Sequence, residues 1–393
     1  MEAAAYRARR PAETPLYALL ESLFETVKGA WEDLFERRYG FWRGLLDGVV
    51  ARYLDCGIFE RGFARIRCPD CATEYLLAFS CKGRGLCPSC GAKRAAEFAA
   101  FLQDEVVADI GHALWVFTVP KLLRPYFMHH RELLGPLCAA AWQTVRELMA
   151  VAAGEEKDFR PGMVAVVQTF GDQLNLHPHV HALVTRGGWT ASGEWVPVPY
   201  VSSSAAEQLF RHKVIRLLQH AGLLDEDRTR LLLSGHHSGF SVHNFVTVPA
   251  GDGRAFEALD FVARLLAHVP DPRRHLVHYY GAYSNVVRGK LKARGLAQKS
   301  EPLAPRPGED APPPACTSPS LAALRRGWAQ LLRRVYEVDP LVCPRCRGVM
   351  RVVSFITEGR VIRRILDHLG ASARRATQER APPPAAAAVP DSP

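Results

Sequence analysis

From about residue 14 to residue 53 apolar side chains recur at helical spacing: Leu16, Leu19, Leu20, Leu23, Phe24 and Val27, then Trp31, Leu34 and Phe35, then Phe41, Leu45, Leu46 and Val49. The pattern predicts a helical lead-in over 1–53 whose aromatic stripe is core. Helical periodicity returns from Ala95 to Ile110, and His112 to Pro120 then reads as a mostly buried strand ended by proline. Leu122 to Ala152 is helical again. Met163 to Phe170 reads as a second strand, Phe170-Gly171-Asp172-Gln173 as a turn, and the apolar-flanked run from Gln173 to Thr185 as a third strand. Strand, tight turn and strand predict an antiparallel hairpin that brings Gln168 to the histidine-bearing end of its partner.

Beyond Gly187-Gly188 a short Trp/Val/Pro segment, Trp189 to Val201, precedes a helix from about Ala205 to Gly222 with a basic face at Arg211, Lys213 and Arg216. Gly239 to Pro249 alternates apolar and polar residues as a half-buried antiparallel strand does. Phe256 to Ala267 is helical, and Leu276 to Lys290 follows, a run considered below as a helix. A proline-rich stretch, 300–320, predicts an exposed linker. It separates a domain at 96–299 from a basic region at 321–370, which ends in a short strand and a helix near Val361 to Leu369. The Pro/Ala tail, 371–393, is expected to be disordered.

Charge narrows the partners. The chain of 393 residues has a formal net charge of +10 and a pI near 9.2, which favours a polyanion, nucleic acid before membrane. The first residues, Met1-Glu2-Ala3-Ala4-Ala5-Tyr6, lack a basic stretch leading into an apolar one, and no uncharged apolar run reaches the roughly 18 residues of a membrane span. A soluble, cytoplasmic, nucleoid-associated protein is expected, with no membrane partner.

The cysteines add a metal. Six of the ten fall between Cys56 and Cys90, which in an unexported chain points to thiolate ligands rather than disulfides. Cys68-Pro69-Asp70-Cys71 and Cys87-Pro88-Ser89-Cys90 have the spacing of a four-cysteine zinc site in a small module at 54–95. Cys56 and Cys81 are left over, as buried thiols or as substitutes for one of the four. Lys82, Arg84, Lys93 and Arg94 stud the module, as phosphate contacts or as solvated charges. Cys343-Pro344-Arg345-Cys346 supplies half a tetrahedral site and needs partners such as His368 or a second chain.

The histidines suggest a second metal. In His177-Pro178-His179-Val180-His181 an extended backbone puts the three imidazoles on one face, with His179 and His181 about 7 Å apart along the strand. Their rings can converge on one cation if a third ligand arrives, for which Gln168 and His177 are the candidates. His243 is a further ligand candidate or an ordinary sheet histidine. On a helix, Tyr279 and Tyr283 at i and i+4 would share a face and address one reaction centre, while Tyr280 points elsewhere. The alternative is a core stripe of Tyr280, Tyr283 and Val287.

Taken in order, the double Cys-x-x-Cys module with Ser80-Cys-Lys-Gly-Arg-Gly-Leu-Cys-Pro-Ser-Cys90, then Phe117-Thr-Val-Pro120, His179-Val-His181 and Tyr279-Tyr-Gly-Ala-Tyr-Ser-Asn285 closely resemble the IS91-type transposases. These are members of the HUH single-strand endonuclease class. The resemblance spans roughly Cys56 to Lys290 and extends more weakly to Cys346. It implies an α+β fold, a central antiparallel sheet flanked by helices, preceded by the helical lead-in and a small zinc-ribbon-like module. It also implies that His179 and His181 hold a divalent metal, Mg²⁺ or Mn²⁺, with Val180 between them. Tyr279 and Tyr283 would be paired nucleophiles, and Cys68, Cys71, Cys87 and Cys90 would bind structural Zn²⁺.

Single-stranded DNA at element ends and target DNA are the implied partners, with Lys82, Arg84, Arg94 and Arg288 as candidate DNA contacts; the oligomeric state is open. The chemistry needs activation, because a tyrosine with a pKa near 10 is only about one part in a thousand ionised at neutral pH, a handicap of about 4 kcal/mol. A metal that polarises the scissile phosphate offsets it, and attack gives a 5′-phosphotyrosine and a free 3′-OH. Three other readings use the same residues: a rolling-circle replication initiator or relaxase, a non-catalytic zinc-dependent DNA-binding protein, and a metal-dependent hydrolase that releases free products.

Overall fold

The computed structural model describes residues 11–83, 85–154, 159–171, 174–198, 201–234, 239–243, 257–293 and 341–368. Arg84, the proline-rich stretch 300–320, residues 321–340 and the tail 371–393 lie outside them. In chain order the elements are α1 (Pro15–Gly29), α2 (Glu36–Tyr39), α3 (Leu45–Leu54), β1 (Phe63–Arg67), β2 (Glu74–Ala78), α4 (Pro88–Phe101), β3 (His112–Thr118), α5 (Arg124–His129), α6 (Leu134–Ala152), β4 (Arg160–Phe170) and β5 (Leu176–Trp189). They continue with β6 (Trp195–Pro197), α7 (Ser203–His220), α8 (Glu226–Ser234), β7 (Ser241–His243), α9 (Ala258–Ala267), β8 (Val277–Gly281), α10 (Asn285–Ala293), β9 (Arg351–Ile356) and α11 (Gly359–His368). The fold is the expected α+β arrangement. Among the described residues no helix is long and apolar enough to cross a membrane.

The chain divides into two compact units, 1–21 with 49–83 and 319–393, and 22–48 with 84–318. In the first, β1 pairs antiparallel with β2 on one side and with β9 on the other, so the third strand comes from the far end of the sequence. Phe63 on β1 packs against Ile362 and Leu366 of α11, all three at most 2% exposed. Ile362, Ile365 and Leu366 are spaced i, i+3, i+4, which lays one apolar stripe of α11 on the sheet.

In the second unit the order β7-β3-β5-β4-β8 is antiparallel throughout, with β6 added to the far end of β5. Val180, Ala182 and Val184 of β5 are fully buried and join Trp115 and Phe117 of β3 and Met163, Ala165 and Val167 of β4. Leu137, Cys138, Ala141 and Val145 of α6 and Phe210, Val214 and Leu218 of α7 close this face. Each such fully buried aliphatic or aromatic side chain contributes about 1.5–3 kcal/mol. Strict alternation then sends His179, His181 and Leu183 of β5 and Val164, Val166 and Gln168 of β4 to the other face.

The predicted hairpin is present. β4 and β5 pair from Arg160↔Trp189 to Phe170↔Leu176, with Gln168 opposite His179. The register shifts between Gln168 and Phe170, where β5 carries Pro178. Proline has no N–H to give a ladder, and an extra residue accommodates it while re-aiming its neighbours.

One expectation is overturned. Leu276 to Lys290 is not a single helix: Val277–Gly281 is strand β8, and α10 begins only at Asn285. The open edge of β4 offers Val277, His278, Tyr279 and Tyr280 a ladder, and β-branched and aromatic residues suit it. A tight turn then follows, with Tyr283 N–H on the Tyr280 carbonyl and Ser284 N–H on the Gly281 carbonyl. The Ser284 hydroxyl accepts from Val287 N–H at 3.3 Å and starts α10. Gly281 turns the chain at φ +56°, and a Cβ there would meet the Pro161 carbonyl and lie 2.6 Å from the Trp142 ring. Gly281→Ala is expected to cost about 3 kcal/mol. Thermal unfolding checks this, and an unchanged midpoint contradicts it.

Candidate active site

His179 lies at the centre of the sheet, with Thr118 of β3 on one side and Gln168 of β4 on the other. Its ring is 7% exposed. Nδ1 is 2.6 Å from the His177 carbonyl oxygen and Nε2 is 2.9 Å from Nε2 of His181. A carbonyl only accepts, so Nδ1 carries the proton and Nε2 of His179 keeps its lone pair directed at His181. Burial, then the neighbouring His179, pulls the His181 pKa down, which favours the neutral ring that ligates.

These two nitrogens fit a divalent cation. Two cis ligands of an octahedral ion at about 2.1 Å are about 3.0 Å apart, the spacing seen here. Gln168 donates its amide Nε2 to the Phe170 carbonyl at 3.2 Å, which leaves the amide oxygen as its ligand atom. The His177 ring stands 4.9 Å, centroid to centroid, from that of His179, and its main-chain carbonyl orients His179. Among the described residues, groups of three or more His, Cys, Asp or Glu ligand atoms within 4.8 Å of one another occur only at cysteines, so the three histidines do not form one. His243 on β7 is exposed and bonds Ser241 Oγ at 2.6 Å.

The two tyrosines are not equivalent. Tyr279 on β8 sits opposite Val164, whose partner on β5 is Leu183, so it shares the histidine face of the sheet. Two strand spacings and a two-residue offset put its backbone roughly 12 Å from that of His181, a gap that a phenol and a phosphodiester fill. The Arg288 guanidinium lies 5.5 Å from the centre of the Tyr279 ring and 5.8 Å from that of Phe101. Bonds to the Glu105 carbonyl at 2.9 Å and Asn285 Oδ1 at 2.7 Å hold it there. Burial raises the Tyr279 pKa, and the Arg288 charge works against that rise. Tyr280 faces the other side of the sheet and stacks on Trp142 at 5.5 Å.

Tyr283 follows the turn and is 2% exposed. Its hydroxyl lies 2.6 Å from His112 Nε2 and accepts from the Ala108 N–H at 3.2 Å. Its ring lies flat on Gly162, where a Cβ would come within 2.9 Å of it. Burial pushes its pKa up to about 12 and pulls that of His112 down, which keeps the imidazole neutral as an acceptor for the phenol. Tyr279 and Tyr283 thus share one apolar cluster with Val106 and Val164, and not the helix face that their spacing predicts. His112 was missed in the sequence because its role depends on the register between β3 and β5.

The cysteines group differently from expectation. Cys68 and Cys71 are joined by Cys343 and Cys346, not by Cys87 and Cys90, with all four sulfurs within 4.8 Å. The reason is strand pairing: β9 lies beside β1 and carries the C-terminal pair to the end of that strand. The quartet of Cys68, Cys71, Cys343 and Cys346 offers four thiols, the donor chemistry of structural zinc. Cys56, Cys87 and Cys90 are buried and Cys81 is partly so. Of the proposed DNA contacts, Lys82 and Arg94 are exposed, and Arg288 is half-buried beside Tyr279.

An α+β sheet with a His-x-His pair and a tyrosine on one face, together with a thiol quartet of the kind that holds structural zinc, is the arrangement to set beside known proteins. Residues 27–119 match the family described as "Transposase zinc-binding domain", and residues 162–253 and 250–290 match the one described as "Putative transposase". The chain is 28% identical over 284 residues to the transposase for insertion sequence element IS801 of Pseudomonas savastanoi pv. phaseolicola, covering 68% of this chain and 65% of that one. It is 26% identical over 159 residues to "Putative transposase y4qJ" of Sinorhizobium fredii (strain NBRC 101917 / NGR234), 39% of each. The match therefore spans less than two thirds of either relative's length. No solved structure matches the chain. Both matched family models and both relatives are described as transposases, and the chain is similar to the IS91 type over these regions, in line with its motifs.

Proposed function

We propose that the protein is a transposase that nicks single-stranded DNA at the ends of a mobile element through Tyr279, keeps the strand as a 5′-phosphotyrosine and transfers it. The observation that carries this reading is the convergence of His179 and His181 Nε2 atoms on the sheet face that also bears Tyr279. His179, His181 and the Gln168 amide oxygen would hold Mg²⁺ or Mn²⁺, whose charge polarises a phosphate. The Tyr279 oxygen forms a bond to phosphorus as the bond from phosphorus to the 3′-oxygen breaks. The phenolic proton leaves to solvent and the departing oxygen takes one up, so the phosphodiester energy is kept in the adduct. Arg288 favours the phenolate at Tyr279 and is placed to meet phosphate oxygens.

Tyr283 is the second nucleophile in this reading. His112 Nε2 accepts its proton and the Ala108 N–H stabilises the oxygen left behind, but the burial of Tyr283 means that it acts only after the turn at 281–284 opens. The net charge of +10 and the exposed Lys82 and Arg94 suit a DNA backbone. Incubation of the protein with single-stranded DNA carrying the element's ends, in Mg²⁺ or Mn²⁺, is expected to give a protein–DNA adduct stable to denaturant and a fragment with a free 3′-OH. Nicked DNA with no protein attached would make it a hydrolase, and binding without cleavage would make it a non-catalytic DNA-binding protein.

A further inference from the structure

Cys68-Pro69-Asp70-Cys71 and Cys343-Pro344-Arg345-Cys346 fold as the same turn. In the first, Cys68 N–H donates to the Thr73 carbonyl at 2.8 Å, Ala72 N–H donates back to the Cys68 carbonyl at 3.1 Å, and Ala72 is left-handed at φ +60°. In the second, Cys343 N–H donates to the Gly348 carbonyl at 2.9 Å, Arg347 N–H donates back to the Cys343 carbonyl at 2.9 Å, and Arg347 is left-handed at φ +64°. Non-glycine residues seldom take that conformation, and two at matched positions mark a turn imposed by what its ends hold. Cys87-Pro88-Ser89-Cys90 has the same Cys-Pro-x-Cys sequence but runs straight into α4, so the sequence alone does not dictate the turn.

The two turns face each other. Cys68 Sγ is 3.4 Å from Cys346 Sγ, and Cys71 Sγ is 3.4 Å from Cys343 Sγ. Thiolates 2.3 Å from a tetrahedral zinc stand about 3.8 Å apart, so a small outward movement seats the ion. Cys68 and Cys343 are fully buried with Ile66 and Met350, while Cys71 is partly buried and Cys346 exposed, so four protein donors fill a tetrahedral shell at the edge of this small core. Gly348 carries the second turn so near the first that a Cβ would collide with the Asp70 carboxylate and lie 3.3 Å from Cys346 Sγ.

We propose that Cys68, Cys71, Cys343 and Cys346 form a closed structural zinc centre that ties the C-terminal segment 341–368 to strand β1. Cys343 and Cys346 lie beyond residue 290, the end of the regions matched by either transposase family. The centre makes the zinc module discontinuous: its third strand, β9, and its covering helix, α11, arrive from the far end of the chain. A three-stranded sheet whose apolar clusters are this small needs such a staple to hold together, and in such modules metal binding is folding free energy.

Zinc content of the full-length chain, purified under reducing conditions and measured by inductively coupled plasma mass spectrometry, tests this. Cys343→Ser with Cys346→Ser is expected to lower bound zinc by about one equivalent per chain and to raise hydrogen exchange in Phe63–Arg67 and Arg351–Ile356 together. Gly348→Val keeps all four thiols and is expected to speed zinc release to a chromogenic chelator. Should the double variant precipitate, Co²⁺ substitution of the wild-type chain and of Gly348→Val gives the same answer through the tetrahedral thiolate spectrum. Unchanged zinc content in the double variant overturns the proposal, and so does a wild-type chain that, purified without reductant, gains mass on reduction, which would mean disulfides.

Discussion

Tyr279→Phe is expected to lower covalent adduct formation by about 10³-fold or more while leaving DNA affinity within about twofold, because it removes the proposed attacking oxygen and little else. The ring stays on β8 and still meets the Arg288 guanidinium, which lies 5.5 Å from its centre. Tyr283→Phe behaves differently. It is expected to leave the first nick in place and to block the proposed second strand-transfer step. It also removes the hydroxyl that bonds His112 Nε2 and Ala108 N–H. Losing that buried pair of bonds costs about 1–3 kcal/mol, since the Ala108 N–H is left without its acceptor. Gel-resolved adduct formation on single-stranded ends, with thermal unfolding beside it, separates the two variants. Equal loss of adduct in both would mean that the asymmetry of the tyrosines has no functional counterpart.

His179→Ala with His181→Ala is expected to lower cleavage by about 10³-fold or more and to leave binding of the same DNA largely intact. His179 is buried at 7% exposure and His181 half-buried, which argues against a simple contact with the DNA backbone. Their Nε2 atoms meet 2.9 Å apart, with His181 as donor and His179 as acceptor, instead of reaching outward. Raising Mg²⁺ or Mn²⁺ is not expected to rescue the double variant, whereas Gln168→Ala is expected to be rescued in part, because it removes one of three ligands. The check is a fluorescence-anisotropy titration beside the cleavage assay. If binding falls as far as cleavage, the histidines are DNA contacts or structural residues.

The histidine hairpin was legible in the sequence because its information is local. Strict alternation through Val180, Ala182 and Val184, and the Phe170-Gly171 turn, specify both strands and their register, and Gln168 opposite His179 follows. The zinc quartet was half legible. Cys-Pro-x-Cys announces thiolate ligands, but the motif occurs three times, and the pairing of the first with the last depends on β9 reaching β1, a contact across nearly 300 residues.

Residues 276–290 were misread for a different reason. Tyr279, Tyr280, Tyr283 and Val287 satisfy the helical period as well as Val277 and Tyr279 satisfy the strand period, and the choice belongs to the open edge of β4. His112 carried no signal of its own. It faces the Tyr283 hydroxyl only because the order β3-β5-β4-β8 and the turn after Gly281 bring them together.

Peptide mapping of the denatured adduct by tandem mass spectrometry tests the central claim most directly. The account predicts a nucleotide remnant on Tyr279 when the protein is trapped after its first cleavage in Mg²⁺. A remnant on Tyr283 in that first adduct, or on neither tyrosine, contradicts it.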